Sequence, residues 1–269
     1  MHPMLNIAVR AARRAGTTIA RGQQRLHEVK VTRKGHHDYA TQIDHDAEAA
    51  IIDTLLTAYP GHQILAEESG ARGQSEHVWI IDPLDGTLNF MHGFPQYAVS
   101  IALSVRGRLE QAVIYDPTRD ELFTASRGAG AQLNGHRLRV SACTHLDQAL
   151  LATGFPVRRQ AELASSMACF ADMIEHCADV RRAGAAALDL AYVACGRLDG
   201  FWEFGLKPWD IAAGALLVQE AGGLVGDAEG GESHVDSGDI VAANPKLFRQ
   251  MLARLSRHRR GVTAAGTAP

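Results

Sequence analysis

Residues 78–90 read Val78-Trp79-Ile80-Ile81-Asp82-Pro83-Leu84-Asp85-Gly86-Thr87-Leu88-Asn89-Phe90. The first four form a short, wholly apolar run rich in β-branched residues, which predicts a strand buried within a sheet. Two aspartates three residues apart follow it across a proline-stiffened turn, a geometry that can aim both carboxylates at one point. Gly86 permits close backbone approach, and Thr87 opens a predicted helix N-terminus. Hard oxygen donors gathered this way suit Mg²⁺, whereas zinc prefers histidine and cysteine. Taken alone, the DxxD spacing also fits a turn followed by a helix cap.

Upstream, Met4, Ile7, Ala8, Ala11, Ala12 and Ala15 recur at helical spacing and predict an amphipathic opening helix. After a polar stretch, Lys30 to Asp38, a second helix carries Ile51, Ile52, Leu55 and Leu56 on one face and stops at Tyr59-Pro60-Gly61. Downstream, strands are predicted at Ala98 to Val105, Gln111 to Tyr115 and Glu121 to Ala125, with Asn134-Gly135 as a hairpin turn. Gly184 to Gly196 and Trp209 to Ala221 read as helices, the second closed by Gly222-Gly223. The basic, then Gly/Ala/Thr/Pro-rich end from Arg254 onward reads as a frayed tail. The organisation expected is an N-terminal α+β half over 1–145, a C-terminal α/β half over 146–255 and a disordered tail over 256–269.

A chain of 269 residues with 46% hydrophobic and 21% charged residues can bury a large core. The formal charge of -3 offers no global field for nucleic acid or an anionic membrane. The cysteines, Cys143, Cys169, Cys177 and Cys195, form no CxxC pair, so reduced thiols are expected. No signal peptide is read at the start, and no apolar run approaches the roughly 20 residues that span a bilayer. A cytoplasmic protein is the expectation.

Further carboxylates occur in Ala66-Glu67-Glu68-Ser69, at Asp44 and at Asp210 in Trp209-Asp210. Asp44 and Asp210 could each be a helix cap, since a carboxylate at that position accepts a backbone N–H. Spacing does not say whether these groups meet. DPLDGTLNF, however, resembles the signature of the inositol monophosphatase family. Three further elements stand in that family's order: Ala66-Glu67-Glu68-Ser69, the segment Gly200 to Asp210, and Ile211-Ala212-Ala213-Gly214 leading to Glu220-Ala221-Gly222-Gly223.

The resemblance implies a layered α/β/α/β/α fold and a Mg²⁺-dependent phosphomonoesterase for a small polyol or sugar-type monophosphate, inositol 1-phosphate first. It implies about two to three Mg²⁺ ions, a metal-activated water and no phosphoenzyme. Glu67, Asp82, Asp85, Asp210 and the Leu84 carbonyl would hold the metal. Asp44 and Thr87 would orient and deprotonate the attacking water, with Glu67 supporting catalysis. Gly86 and Thr87 would receive phosphate oxygens. Gly184, Ala185, Ala186, Glu203 and Asp210 would face the substrate. Homodimers and lithium inhibition are implied too. Ala185 stands where several members carry a hydroxyl, which removes one possible substrate contact.

Rival substrates are histidinol phosphate, fructose 1,6-bisphosphate, a nucleotide 3′-phosphate and NADP. A rival from another class is a regulatory partner of a macromolecular complex on the same fold. The 13 histidines include no HExxH pair, and His36-His37-Asp38 is expected to be loop. Gly128 to Gly135 lacks GxGxxG order and is expected to be a hairpin. Arg181-Arg182 is expected to be a solvated or interface pair.

Overall fold

The computed structural model describes residues 2–35, 38–157 and 160–259. α1 (Pro3–Gln24) begins on a proline at its first turn, with the His2 side chain accepting the Met4 N–H. A hairpin of β1 (Val31–Gly35) and β2 (Asp38–Thr41) replaces the polar stretch, and α2 (Gln42–Ala58) follows. His36 and His37 lie outside the described residues.

A large sheet then forms from β3 (Gln63–Ala66), β4 (Gly70–Arg72) and β5 (His77–Asp85). Past the short helix α3 (Thr87–Met91), it is completed by β6 (Ala98–Val105), β7 (Arg108–Asp116), β8 (Glu121–Ser126), β9 (Gly130–Leu133) and β10 (His136–Arg137). Its order is β10-β9-β8-β7-β6-β5-β3-β4, antiparallel except where β3 and β5 run parallel. Asn134 and Gly135 both have positive φ and close β9 onto β10, as a two-residue type I′ turn requires.

A second sheet collects β11 (Leu150–Thr153), β12 (Asp179–Arg181), β13 (Gly200–Glu203), β14 (Leu224–Gly226) and β15 (Ile240–Ala243) in the order β12-β11-β13-β15-β14. Between or after these strands come α4 (Gln160–His176), α5 (Ala186–Ala194), α6 (Pro208–Glu220), α7 (His234–Ser237) and α8 (Pro245–Arg259).

Alternation along each strand sets the layers. Trp79, Ile81, Val99, Ile101 and Val113 face α1 and α2. Ile80, Ala98, Ala102, Ile114 and Phe123 face α5 and α6, which also cover Phe201, Ile240 and Ala242 of the second sheet. The far face of that sheet, with Leu151, Trp202, Val241 and Ala243, packs on α4 and α8. The result is α/β/α/β/α, as expected.

One expectation is corrected. Arg254 to Arg259 are not a frayed tail but the last turns of α8, with Leu255 buried. Leu247, Met251 and Leu255 continue an apolar stripe at four-residue spacing, and Arg254 and His258 both reach Asp172 on α4. Residues 260–269 lie outside the described residues.

Candidate active site

β5 lies between β3 and β6, and its ladder with β6 is regular as far as Asp82 and Ser100. It resumes only at Asp85 and Ala98, because Pro83 offers no N–H and the strand bulges there. Asp82 is 1% exposed, and its Oδ1 accepts the Leu84 N–H at 2.9 Å. Asp85 Oδ2 accepts the Ala187 N–H at 2.7 Å, so this carboxylate caps α5 from a distant strand. Gly86 has φ +92, and a Cβ there would lie 2.7 Å from the Gln96 carbonyl oxygen. Only glycine fits the turn between the two aspartates and α3.

Asp44 is 0% exposed and sits in the first turn of α2. Its Oδ2 accepts the Thr41 N–H at 2.8 Å and the Thr41 hydroxyl at 2.5 Å, so the capping reading holds. Its Oδ1 accepts the Thr87 hydroxyl at 2.8 Å, so the two side chains meet. Asp210 is the third residue of α6, and its Oδ2 accepts the Lys207 N–H at 2.7 Å. The Glu67 N–H donates to the Ile81 carbonyl, which sets Glu67 beside the end of β5. Lys34 Nζ lies 2.5 Å from Glu68 and 3.4 Å from Glu67.

One cavity of about 610 Å³ is lined by Glu67, Asp82, Leu84, Asp85, Gly86, Thr87, Gly184, Ala186, Glu203 and Asp210. Arg182 and Lys207 stand on the same wall. Ala185, named with these from the sequence, is 1% exposed behind the wall, where it caps α5. Arg181 points elsewhere and pairs with Asp179.

The electrostatics of the wall are unfavourable as they stand. Burial, then repulsion from Asp210, Glu68 and Asp44 against the pull of Lys34, pushes the Glu67 carboxyl up to about 7. Burial first, then Glu67, Asp85 and Asp210, holds Asp82 far above the usual carboxylate range. Asp85 is raised by burial and by Asp210, Asp189 and Glu203, against the Ala187 hydrogen bond. These groups cannot all ionise without a cation among them. Among the described residues no three carboxylate, imidazole or thiol groups already close into a ligand shell. Among the described residues the donors on the wall are hard oxygens with no imidazole or thiolate, which fits Mg²⁺ and not zinc.

The model of the inositol monophosphatase family matches residues 1–260. The chain belongs to the inositol monophosphatase family. It is 54% identical to the Nus factor SuhB of Escherichia coli (strain K12) over 257 residues, 95% of this chain and 96% of that protein. The crystal structure of extragenic suppressor protein suhB from Bartonella henselae superposes with a TM-score of 0.92 at 43% identity, covering 95% of this chain and 99% of that one. The inositol monophosphatase from Anabaena (Nostoc) gives 0.84 at 37%, covering 94% and 95%.

Within this family fold, two further carboxylates emerge that the motifs did not single out. Glu48, one turn beyond Asp44 on α2, is 4% exposed and accepts the Glu68 and Ser69 N–H groups at 2.8 and 2.9 Å. It ties the Glu67 loop to the helix that carries Asp44, and the i,i+4 spacing was the readable signal. Asp189 is buried in the otherwise apolar α5 and is raised by burial and by Glu203, against Arg182. A lone charge inside an apolar helix was the clue there.

Proposed function

We propose that this chain is a Mg²⁺-dependent phosphomonoesterase for a small polyol or sugar-type monophosphate, with inositol 1-phosphate the first candidate. The observation that carries the reading is one cavity wall holding Glu67, Asp82, Asp85, Glu203 and Asp210 around Thr87, itself bonded to Asp44. Glu67, Asp82, the Leu84 carbonyl, Asp85 and Asp210 would hold magnesium, which would supply charge neutralisation at the phosphoryl oxygens and acidify water. Thr87 Oγ1 would accept the proton of the attacking water as its own hydroxyl proton passes to the Asp44 carboxylate. The Gly86–Thr87 backbone receives phosphate oxygens. Glu203 accepts hydroxyls of the alcohol and orients it. Lithium competing for a magnesium position is part of the same reading.

The metals and phosphate contacts act on a group that every candidate substrate shares, so choice rests on groups facing the alcohol. Gly154 makes room for Glu203, since a Cβ there would run into its carboxylate. A hydrogen bond to a charged acceptor is worth about 1.5–3 kcal/mol, roughly 10- to 150-fold. Glu203→Gln should lower kcat/KM by that factor for the preferred substrate and much less for p-nitrophenyl phosphate, which has no hydroxyl to offer. A Mg²⁺ assay across inositol 1-phosphate, histidinol phosphate, fructose 1,6-bisphosphate, a nucleotide 3′-phosphate and NADP identifies that substrate. Equal losses on both esters would place Glu203 in support of the metal site and not of selectivity.

Glu48 bears on the metal through the loop it holds. Glu48→Gln keeps the size but puts an NH₂ against one of the two backbone donors. The Mg²⁺ concentration for half-maximal rate should rise roughly 10-fold, with the saturated rate much less affected. An unchanged Mg²⁺ requirement would mean that the loop holds its shape without this carboxylate.

A second reading follows from the E. coli relative, a Nus factor at 54% identity over 95% of this chain. We propose that this chain also acts as a Nus factor, and with a charge of -3 its partner is a protein surface more than a nucleic acid. A hydrolysis-dead Asp85→Asn chain should still replace the relative in a Nus-dependent reporter. Failure of the wild-type chain to replace it would remove this reading.

A further inference from the structure

We infer that Arg259, in the last turn of α8, is a positioning residue that braces the Phe204–Lys207 segment and so sets the affinity of the cavity for the alcohol part of its substrate. The inference rests on the phosphatase reading for its consequence, though not for its geometry.

Phe204, Gly205, Leu206 and Lys207 line the cavity directly after Glu203. No strand pairing holds them, because β13 ends at Glu203 opposite Ile240. Gly205 and Leu206 are held by the residues just before β15: the Gly205 N–H donates to Asp239 Oδ1 at 3.0 Å, and the Leu206 N–H to the Gly238 carbonyl at 2.9 Å, while the Lys207 N–H donates to Asp210 Oδ2 on α6. Asp239 is in turn gripped through its other oxygen by the Arg259 guanidinium. The same guanidinium donates to Glu162 on α4 at 3.2 Å and lies 4.3 Å from the centre of the Phe204 ring.

Arg259 is therefore bonded to one neighbour of the segment and stacked on its first residue. It is 7% exposed, a degree of burial that a guanidinium tolerates only when its donors are matched. The planar fork serves two carboxylates and an aromatic face at once, which an ammonium cannot do. Truncation would remove the guanidinium that Asp239 and Glu162 share. Asp239 would turn outward and release the Gly205 N–H, and the segment carrying Lys207 would drift from the substrate. Asp82, Asp85 and Thr87 stand on β5 and α3, and none of their hydrogen bonds runs to this network.

Arg259 also borders a separate cavity of about 540 Å³ with Arg249, Leu252 and Ser256. A shortened side chain is thus replaced by water or by a small cation entering from that side, and the helix need not collapse. Arg259→Ala should raise KM for the preferred polyol monophosphate by roughly 10-fold and leave kcat on p-nitrophenyl phosphate within about twofold. Millimolar guanidinium chloride should restore KM where equal sodium chloride does not. Hydrogen exchange read by mass spectrometry should show the 204–207 amides exchanging at least roughly 10-fold faster, with β5 unchanged.

Asp239→Asn serves as the second variant, since it keeps an acceptor for Gly205 but loses the charge that Arg259 grips; it should shift KM and exchange in the same direction. Unchanged exchange at 204–207 in both variants, or an equal fall in kcat on every ester with no KM change, would overturn the inference. If the wild-type chain hydrolyses no phosphomonoester, the phosphatase reading fails, and the exchange arm still decides whether Arg259 braces the segment.

Discussion

Asp85→Asn or Asp210→Asn is expected to lower phosphatase turnover at ordinary Mg²⁺ by at least about 10²-fold, roughly 2.7 kcal/mol of transition-state stabilisation. Both side chains already have one oxygen committed to the backbone, Asp85 to Ala187 and Asp210 to Lys207. An asparagine can keep that bond with its carbonyl oxygen and turn its NH₂ toward the cavity. The cap of α5 and the first turn of α6 then survive, while an acceptor facing the metal becomes a donor. Stability should move the opposite way in the metal-free protein. Asp85 is buried beside Asp210, Asp189 and Glu203, so removing its charge relieves repulsion and raises the melting temperature near neutral pH. Added Mg²⁺ should raise the melting temperature of the wild type and barely move that of either variant. Near-normal turnover without excess metal, or an undiminished Mg²⁺ shift, would show that these carboxylates are not ligands.

The second large effect concerns the proton. Asp44 is fully buried and absent from the cavity wall, so it cannot reach a water there itself. It touches the cavity only through the Thr87 hydroxyl, at 2.8 Å. That hydroxyl has one proton, and the Leu84 carbonyl at 3.0 Å competes for it. When the proton points to Asp44, a lone pair of Thr87 Oγ1 is left to accept from water. Asp44→Asn can retain the Thr41 bonds with its oxygen but presents an NH₂ to Thr87, which reverses the polarity of the pair while keeping the cap of α2. Each single change, Thr87→Ala or Asp44→Asn, should slow turnover by about 10²- to 10³-fold, and the double variant should be no more than roughly threefold worse than the poorer single. Rate losses that multiply would assign Asp44 to capping alone and leave Thr87 to act without it.

The paired roles of Asp44, Asp85 and Asp210 explain why the sequence allowed two readings of each. Every one of them holds a helix start and also faces, or reaches, the cavity. A residue type suited to a cap is suited to a metal for the same reason, a short carboxylate held on a rigid backbone. The structure shows each cap formed, with Asp85 and Asp210 on the cavity wall and Asp44 joined to it through Thr87. Arg254 to Arg259 show the opposite case. Their charge and position read as a solvated end, yet Arg254, His258 and Arg259 are bonded to Asp172, Glu162 and Asp239 on other elements.

The sequence by itself determined what depends on neighbours in the chain. The apolar run before Asp82 made a central strand, Pro83 broke its ladder, and Asn134-Gly135 made the hairpin. Helix stops and apolar faces marked out the main helices, and the resemblance of DPLDGTLNF to the family signature implied the five layers. The strand, the hairpin and the helices follow from backbone sterics and from periods of 2 and 3.6, which any reader of the chain can count. Only the tertiary structure decided which distant groups meet. Thr87 reaches Asp44 across 43 residues, Ala187 reaches Asp85 across 102, and Glu48 holds Glu68 and Ser69. Such bonds have no fixed spacing, because they are set by how layers stack and not by how one element winds. Two carboxylates may lie equally far apart in sequence whether they share a cavity or face opposite solvents, and the packing of β5 between α2 and α6 settles the matter for this protein.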